Sequence, residues 1–382
     1  MKRIPVERRI VFINQSSGYL MVDIINRFTE AGYSCDLITG LLVERNIPLS
    51  KEVNVRKIIR YNNTSSMRRI FTWGWGTIQI FVIVLLRYRR AHLFIVSNPP
   101  MATLIPLVLS NPFSILIFDV YPNAITELGV LNKQSLIIRI WEKANRRVYS
   151  LAQDIFTLTP GMKELLKTYV PGKAVEVVPL WADNEFLVRV PLEKNHFIKV
   201  FNLHDKFVVL YSGNIGISND VDILVDVAKL IKSKSVVFAI IGSGARKKQL
   251  EEKVKNEMNG NIIVLPRQDV SYLPHTLSAA SLAVVTLGKN ASKLAIPSKI
   301  FSLISLGIPI MGIAGEDSDL HKFIEDHNIG RCFVPENMDG MAKYIIDLAN
   351  NPECCEGLAK NALLASSIYN RGNAGIFVQS EP

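Results

Sequence analysis

Short apolar runs alternate with amphipathic helix patterns along almost the whole chain, and this alternation restricts the fold more than any other feature. In the first half, runs at 10–13, 35–39, 54–59, 92–97, 114–119, 154–158 and 174–178 read as strands. Helix patterns lie between them at 19–31, 70–86, 101–109, 133–150 and from residue 162. In the second half, runs at 207–211, 236–241, 262–265, 282–286 and 308–314 alternate with helix patterns at 220–233, 245–258, 272–280 and from 297. A helical stretch at 341–368, broken at Pro352, follows. Strands that are apolar throughout and separated by helices belong to parallel sheets covered on both faces. The expectation is an α/β chain of two Rossmann-like domains facing a central cleft, a preferred ligand position. Boundaries are expected at 1–190 for the first domain and 191–365 for the second. A tail at 366–382 carries weak signals and is expected to pack back on the first domain.

Composition narrows the function. The 382 residues carry 44 Lys and Arg against 34 Asp and Glu, a formal charge of +10. Such a surface suits nucleic acid, a phosphorylated ligand or an anionic membrane. No RNA- or DNA-binding signature accompanies the charge, so nucleic acid is not an expected partner. The cysteines, Cys35, Cys332, Cys354 and Cys355, have no metal-ligand spacing, and none of the six histidines is paired at helical spacing, so no metal site is expected. The basic N-terminus runs into a short β-type segment without a long apolar stretch, and a cytoplasmic location is expected. Residues 70–86, IFTWGWGTIQIFVIVLL, are the one membrane candidate. Seventeen helical residues cover about 26 Å, short of the roughly 20 residues a span needs. The segment reads first as a buried core helix. Its second reading is a helix in the plane of a membrane, supported by Trp73, Trp75 and the arginines at 68, 69, 87, 89 and 90.

Candidate site residues fall at the ends of the apolar runs, where ligands of open α/β sheets sit. Pro297-Ser298-Lys299 opens a helix; the missing N–H of Pro297 suits that place. Free N–H groups and the dipole at a helix start favour an anion near Ser298 and Lys299. The next strand ends in Gly315-Glu316-Asp317-Ser318-Asp319, an acidic loop fit to hold sugar hydroxyls. Gly213, Asn214, Ile215 and Gly216 form a glycine-bearing turn after a strand, where backbone can approach a ligand closely. A plain βα turn is the competing reading. Gly242-Ser243-Gly244 lacks the third glycine of a dinucleotide fingerprint but could carry phosphate. Arg267 could meet a base or stand in a solvated loop. Asp119 could face the cleft, or cap a turn.

Five pieces in order carry a resemblance: YSGNIG at 211–216, IGSG at 241–244, LPRQDVSYLP at 265–274, IPSKIFSLISLGIPI at 296–310 and GEDSDL at 315–320. Together they resemble the donor-nucleotide domain of the family 4 retaining glycosyltransferases, which have the GT-B fold. SNPP at 97–100 and FDVYPNAITELG at 118–129 resemble the acceptor domain of bacterial fucosaminyl-type members. Many members carry two glutamates before the Gly-x-Pro; Leu294 and Ser302 stand in those places, and the chain resembles a subgroup with Pro-Ser-Lys instead. A lysine of the first glycine turn is also absent, with Ser218-Asn219-Asp220 at its place, and Asn123 replaces a usual acid.

The resemblance implies a glycosyltransferase with a nucleotide-sugar donor, a UDP-sugar, and no cofactor. Gly213, Asn214, Ile215, Gly216, Gly242, Gly244 and Ser298 with Lys299 would hold the diphosphate. Arg267 would meet the base, and Glu316, Asp317 and Ser318 the hydroxyls. Asp119 would orient or deprotonate the acceptor, a lipid-linked saccharide of surface-polysaccharide assembly, at the inner face of a bacterial plasma membrane. Reaction with retention is implied by the resemblance alone. Two rival expectations are a nucleotide-sugar epimerase of the same fold and a non-catalytic assembly partner.

Overall fold

The structure is a computed structural model that describes residues 9–62, 64–127, 132, 134–216, 219–256, 260–288 and 294–379. It divides into two units: Met1–Leu180 with Arg371–Pro382, and Trp181–Asn370.

Unit 1 is built on a parallel seven-stranded sheet. In chain order its first elements are β1 (Arg9–Ile13), the two-residue β2 (Ser16–Ser17), α1 (Tyr19–Glu30), β3 (Ser34–Thr39), β4 (Leu41–Leu42) and β5 (Asn54–Lys57). α2 (Ser66–Arg87), β6 (His92–Val96), a 3-10 turn at Pro100–Leu107 and β7 (Phe113–Ile117) follow. α3 (Asn123–Glu127), α4 (Leu136–Leu151), β8 (Ile155–Thr157), α5 (Pro160–Tyr169) and β9 (Glu176–Val177) complete the run. The sheet order is β5-β3-β1-β6-β7-β8-β9, while β2 and β4 pair separately. Ser65, Ser135 and Thr159 open α2, α4 and α5 by accepting a backbone N–H with the side-chain oxygen. The helix expected at 101–109 is a 3-10 turn instead. Pro106 inside it has no N–H to give to an α-helical ladder.

The core of unit 1 holds a cluster of aromatic rings among aliphatic side chains. Phe12 packs on Phe28 at 5.3 Å between ring centroids. Phe377, from the C-terminal segment, packs on Phe156 at 4.8 Å and on Phe94 at 5.7 Å. Arg371 also reaches Asp23 of α1 through a 2.7 Å Nε–Oδ1 contact.

The buried-core reading of 70–86 is corrected. α2 buries only one row, Thr72, Ile80 and Val84, with Gly76 against the Gln15 amide. That amide donates to the carbonyls of Ile59 and Thr72 and fixes the helix start. The opposite face leaves Met67, Ile70, Phe71, Trp75, Ile78, Val82 and Leu86 exposed, the first at 83% and the last at 74%. The sequence misleads because both faces are apolar, so periodicity cannot say which of them meets protein. By length and composition the helix could cross a membrane.

Unit 2 holds α6 (His196–Val200), β10 (Phe207–Asn214), α7 (Ile223–Leu230), β11 (Val236–Ser243), α8 (Lys247–Lys255), β12 (Ile262–Leu265), α9 (Leu273–Ser278) and β13 (Leu282–Thr286). α10 (Lys299–Ser305), β14 (Ile310–Ile313), α11 (Asp319–Asp326), β15 (Gly330–Phe333), α12 (Met338–Asn350) and α13 (Pro352–Ile368) follow, while α14 (Ile376–Gln379) belongs to unit 1. The parallel sheet runs β12-β11-β10-β13-β14-β15. Val209, Tyr211, Phe238, Ile240, Val284 and Met311 join helix residues such as Leu224 and Ile345 in its core. β10 is longer than the expected 207–211. Ser212, Gly213 and Asn214 continue its ladder with Ile241, Gly242 and Ser243. A Cβ at residue 242 would stand 1.9 Å from the Gly213 carbonyl oxygen, so only glycine lets the two strands stay paired there.

Candidate functional site

The carboxyl edge of the unit 2 sheet gathers the sequence-derived residues. Reading along the sheet, Arg267 follows β12, Gly242 and Gly244 end β11, and Gly213 and Asn214 end β10. Lys299 opens α10 beyond β13, and Glu316, Asp317 and Ser318 follow β14. Gly244 has φ +156°, and a Cβ there would lie 2.2 Å from the Ile215 carbonyl oxygen. That carbonyl accepts the Arg246 N–H, and the Ile215 N–H donates to the Ser243 carbonyl. The two glycine turns are thereby tied into one backbone layer. The Asn214 amide closes over Gly216.

Lys299 reaches into this layer. Its Nζ lies 3.9 Å from the centroid of the Tyr211 ring, and a Cβ on Gly213 would be 3.0 Å from it. The Tyr211 hydroxyl is committed to the Asn214 carbonyl at 2.7 Å. The lysine stem keeps some surface, but the Nζ is sealed from solvent and has no hydrogen-bond partner. Burial pushes its pKa down to about 7. A cation held over a ring face with three unused donors is an incomplete arrangement, and an anion at Gly213 would complete it.

The helix behind Lys299 is short. α10 has seven residues, and the Ser298 side chain is exposed and caps nothing. The dipole is therefore a lesser source of anion attraction here than the lysine itself. Glu316 and Asp317 are exposed, with an Asp317 oxygen turned over Gly315. Ser318 is buried; its hydroxyl donates to the Gly315 carbonyl at 2.6 Å and accepts the His321 N–H at 3.1 Å as the cap of α11. Arg267 is exposed. Ser218 lies outside the described residues, as do Gly129, Lys133 and Met258 of the expected segments.

In unit 1, Asp119 stands two residues beyond β7. The Ser97 hydroxyl accepts the N–H groups of Phe118 and Asp119 at 3.0 and 3.4 Å. The aspartate side chain keeps solvent access, yet the protein around it crowds out enough water to raise its carboxyl pKa.

Tyr211 is not evident as a site residue from the sequence, where it stands only as the first residue of YSGNIG. A tyrosine two residues before a strand-end glycine was the available signal. Nor are Tyr61, Arg69 and Trp73 near Asp119 evident as such; the i, i+4 spacing of Arg69 and Trp73 on one helix face was the signal there.

Two parallel sheets of this order, with glycine turns and a buried lysine at one carboxyl edge, define a GT-B glycosyltransferase fold. Solved structures share it. The Anabaena Alr3699/HepE structure in complex with UDP-glucose matches at TM-score 0.72 and 13% identity, covering 97% of this chain and 98% of that one. WaaG, a glycosyltransferase involved in lipopolysaccharide biosynthesis, matches at TM-score 0.67 and 14% identity, covering 97% and 100%. Residues 193–364 match the family model of the glycosyl transferases group 1. A curated Pseudomonas aeruginosa relative, "Probable glycosyltransferase WbjE", is 24% identical over 361 residues, 91% of this chain and 90% of that one.

Proposed function

We propose that this chain transfers a sugar with retention from a UDP-sugar to a lipid-linked saccharide in surface-polysaccharide biosynthesis, working in the cytoplasm at the inner face of a bacterial plasma membrane. One observation carries the reading: the sealed, unpartnered Lys299 Nζ beside Gly213. When the bond from the sugar C1 to the phosphate oxygen breaks, the leaving diphosphate gathers negative charge. A cation already in place at that point stabilises the charge without reorganising. Backbone N–H groups of 213–216 and Ser298 would share the diphosphate. Arg267 would face the base, and Glu316 and Asp317 the ribose or sugar hydroxyls. The acceptor hydroxyl forms the new bond to C1 on the face the diphosphate leaves, and its proton passes to Asp119. The UDP-glucose complex of a structural neighbour and the lipopolysaccharide role of another favour this donor class and setting.

The purified protein is expected to melt at a higher temperature with UDP, because a ligand of the folded state alone stabilises it by mass action. UDP-sugars tested with a lipid-linked saccharide should yield a product that keeps the anomeric configuration of the donor. A chain stabilised by no uridine nucleotide and forming no product would overturn the reading.

The exposed apolar row of α2 suits the membrane part of the proposal. Arg68 and Arg69 stand at one end of the helix and Arg87, Arg89 and Arg90 at the other, a charge pattern complementary to anionic lipid. The wild-type protein should float with phosphatidylglycerol vesicles at low salt and less so at high salt. Phe71→Asp with Leu86→Asp should remain at the bottom of the gradient; both side chains are exposed, so the fold survives the change. Equal flotation of variant and wild type would exclude α2 as the contact.

A further inference from the structure

We infer that Tyr61, Arg69, Trp73 and Tyr121, beside Asp119, form a binding wall in unit 1 for a saccharide carried on a diphosphate. The inference rests on the sugar-transfer reading and gives its acceptor a place. Tyr61 and Trp73 stack with ring centroids 5.8 Å apart and an interplanar angle of 13°. Trp73 meets Tyr121 edge to face at 5.8 Å, and Tyr121 stacks on the buried Trp141 at 6.1 Å and 6°. The Tyr121 carbonyl accepts the Asn145 amide at 2.6 Å, which anchors this end of the row to α4. The rings are held by one another and so are in place before a ligand arrives.

Polar groups on the wall are left over. The Arg69 guanidinium lies over the Trp73 ring, 5.5 Å from its centroid, and its charge acts on the Tyr61 hydroxyl. Its Nε and the Trp73 Nε1 are both out of contact with solvent and have no partner. Two sealed N–H donors without acceptors cost free energy unless a ligand supplies oxygen atoms. Asp119 is close enough to act electrostatically on both Tyr61 and Tyr121.

This set of groups selects a ligand class. Ring faces take the C–H faces of a pyranose, while N–H and O–H edges take its hydroxyls. A guanidinium adds an anion, and its fork matches phosphate oxygens. The same helix exposes its apolar row on the side turned away from the core, where a polyprenyl chain finds lipid. A saccharide joined through diphosphate to an isoprenoid fits all three.

Farnesyl-diphosphate-linked N-acetylglucosamine is the probe, and quenching of tryptophan fluorescence in the full chain is the readout. The probe should quench wild-type emission, and farnesol at the same concentration should not. Arg69→Gln should weaken the probe by about tenfold to a hundredfold, the loss of a charge-assisted bond. Arg69→Lys should recover part of this, and Trp73→Phe should remove most of the quench. UDP affinity should stay at the wild-type value in all three. Wild-type probe affinity in both Arg69→Gln and Trp73→Phe would overturn the wall, as would equal binding of farnesol. Failure of UDP to bind the wild type would instead strike the transferase reading, leaving the probe titration to decide the wall by itself.

Discussion

Lys299→Met is expected to lower UDP affinity by about tenfold to a hundredfold, the worth of a charge-assisted contact, and at the same time to raise stability at neutral pH. The two effects share one cause. The Nζ of Lys299 is buried over Tyr211 with no partner, and its pKa falls to about 7 in the folded chain from an ordinary 10.5. Below pH 7 the amine is protonated whether the chain is folded or not, and the cost of burying the charge is fully present. Between pH 7 and 10.5 the unfolded chain holds a proton that the folded chain has released, so stability rises with pH in that window. The rise has a ceiling of about 1.4 kcal/mol per pH unit. Urea unfolding of both proteins at pH 7 and pH 9.5 measures it. The wild type should gain on Lys299→Met as pH increases, and parallel stability curves would show that the amine is not buried as described.

Binding reverses the same shift. A diphosphate beside the Nζ returns the pKa upward, so UDP association at pH 8 should take up close to one proton, and at pH 6 nearly none. Calorimetry in buffers of different ionisation enthalpy reads the proton count directly. Lys299→Met should show no uptake at either pH.

Asp119→Asn is expected to cut transfer by about 10²- to 10⁴-fold, the usual contribution of a positioned general base, while leaving UDP binding unchanged. Its carboxyl has a raised pKa because the surrounding protein displaces water. A base works when deprotonated, so the wild-type rate should climb with pH through that raised value, on the acid side of the profile. The asparagine variant should lack this limb. An Asp119→Asn enzyme with full turnover would remove the residue from the chemistry.

Much of this architecture was legible because parallel sheets write themselves plainly. Strands such as Leu282–Thr286 and Ile262–Leu265 are short apolar runs between polar loops, and they occur where the runs stand. Their ends were harder. β10 runs on through Gly213 and Asn214 because Gly242 lets the next strand come close, a pairing between residues far apart in sequence. α2 was misread since an apolar residue looks the same whether it faces protein or solvent. The proposed anion site is legible in Lys299 and the glycine turns, which are local signals. Its central feature, an amine with no partner over an aromatic ring, depends on Tyr211 arriving from another strand. The wall beside Asp119 was hidden for the same reason, with its rings drawn from three separate segments.

The return of the C-terminal segment to unit 1 has a consequence for how the chain is made. Unit 2 is one continuous stretch, made between the two parts of unit 1. The unit 1 sheet can assemble early, with Phe94 stacked on Phe156, but Phe377, which packs edge-on against both rings, is made only after unit 2. The nascent protein therefore lacks the Phe377 contact on this ring pair throughout the synthesis of unit 2, and gains it only when the segment beyond Asn370 has been made.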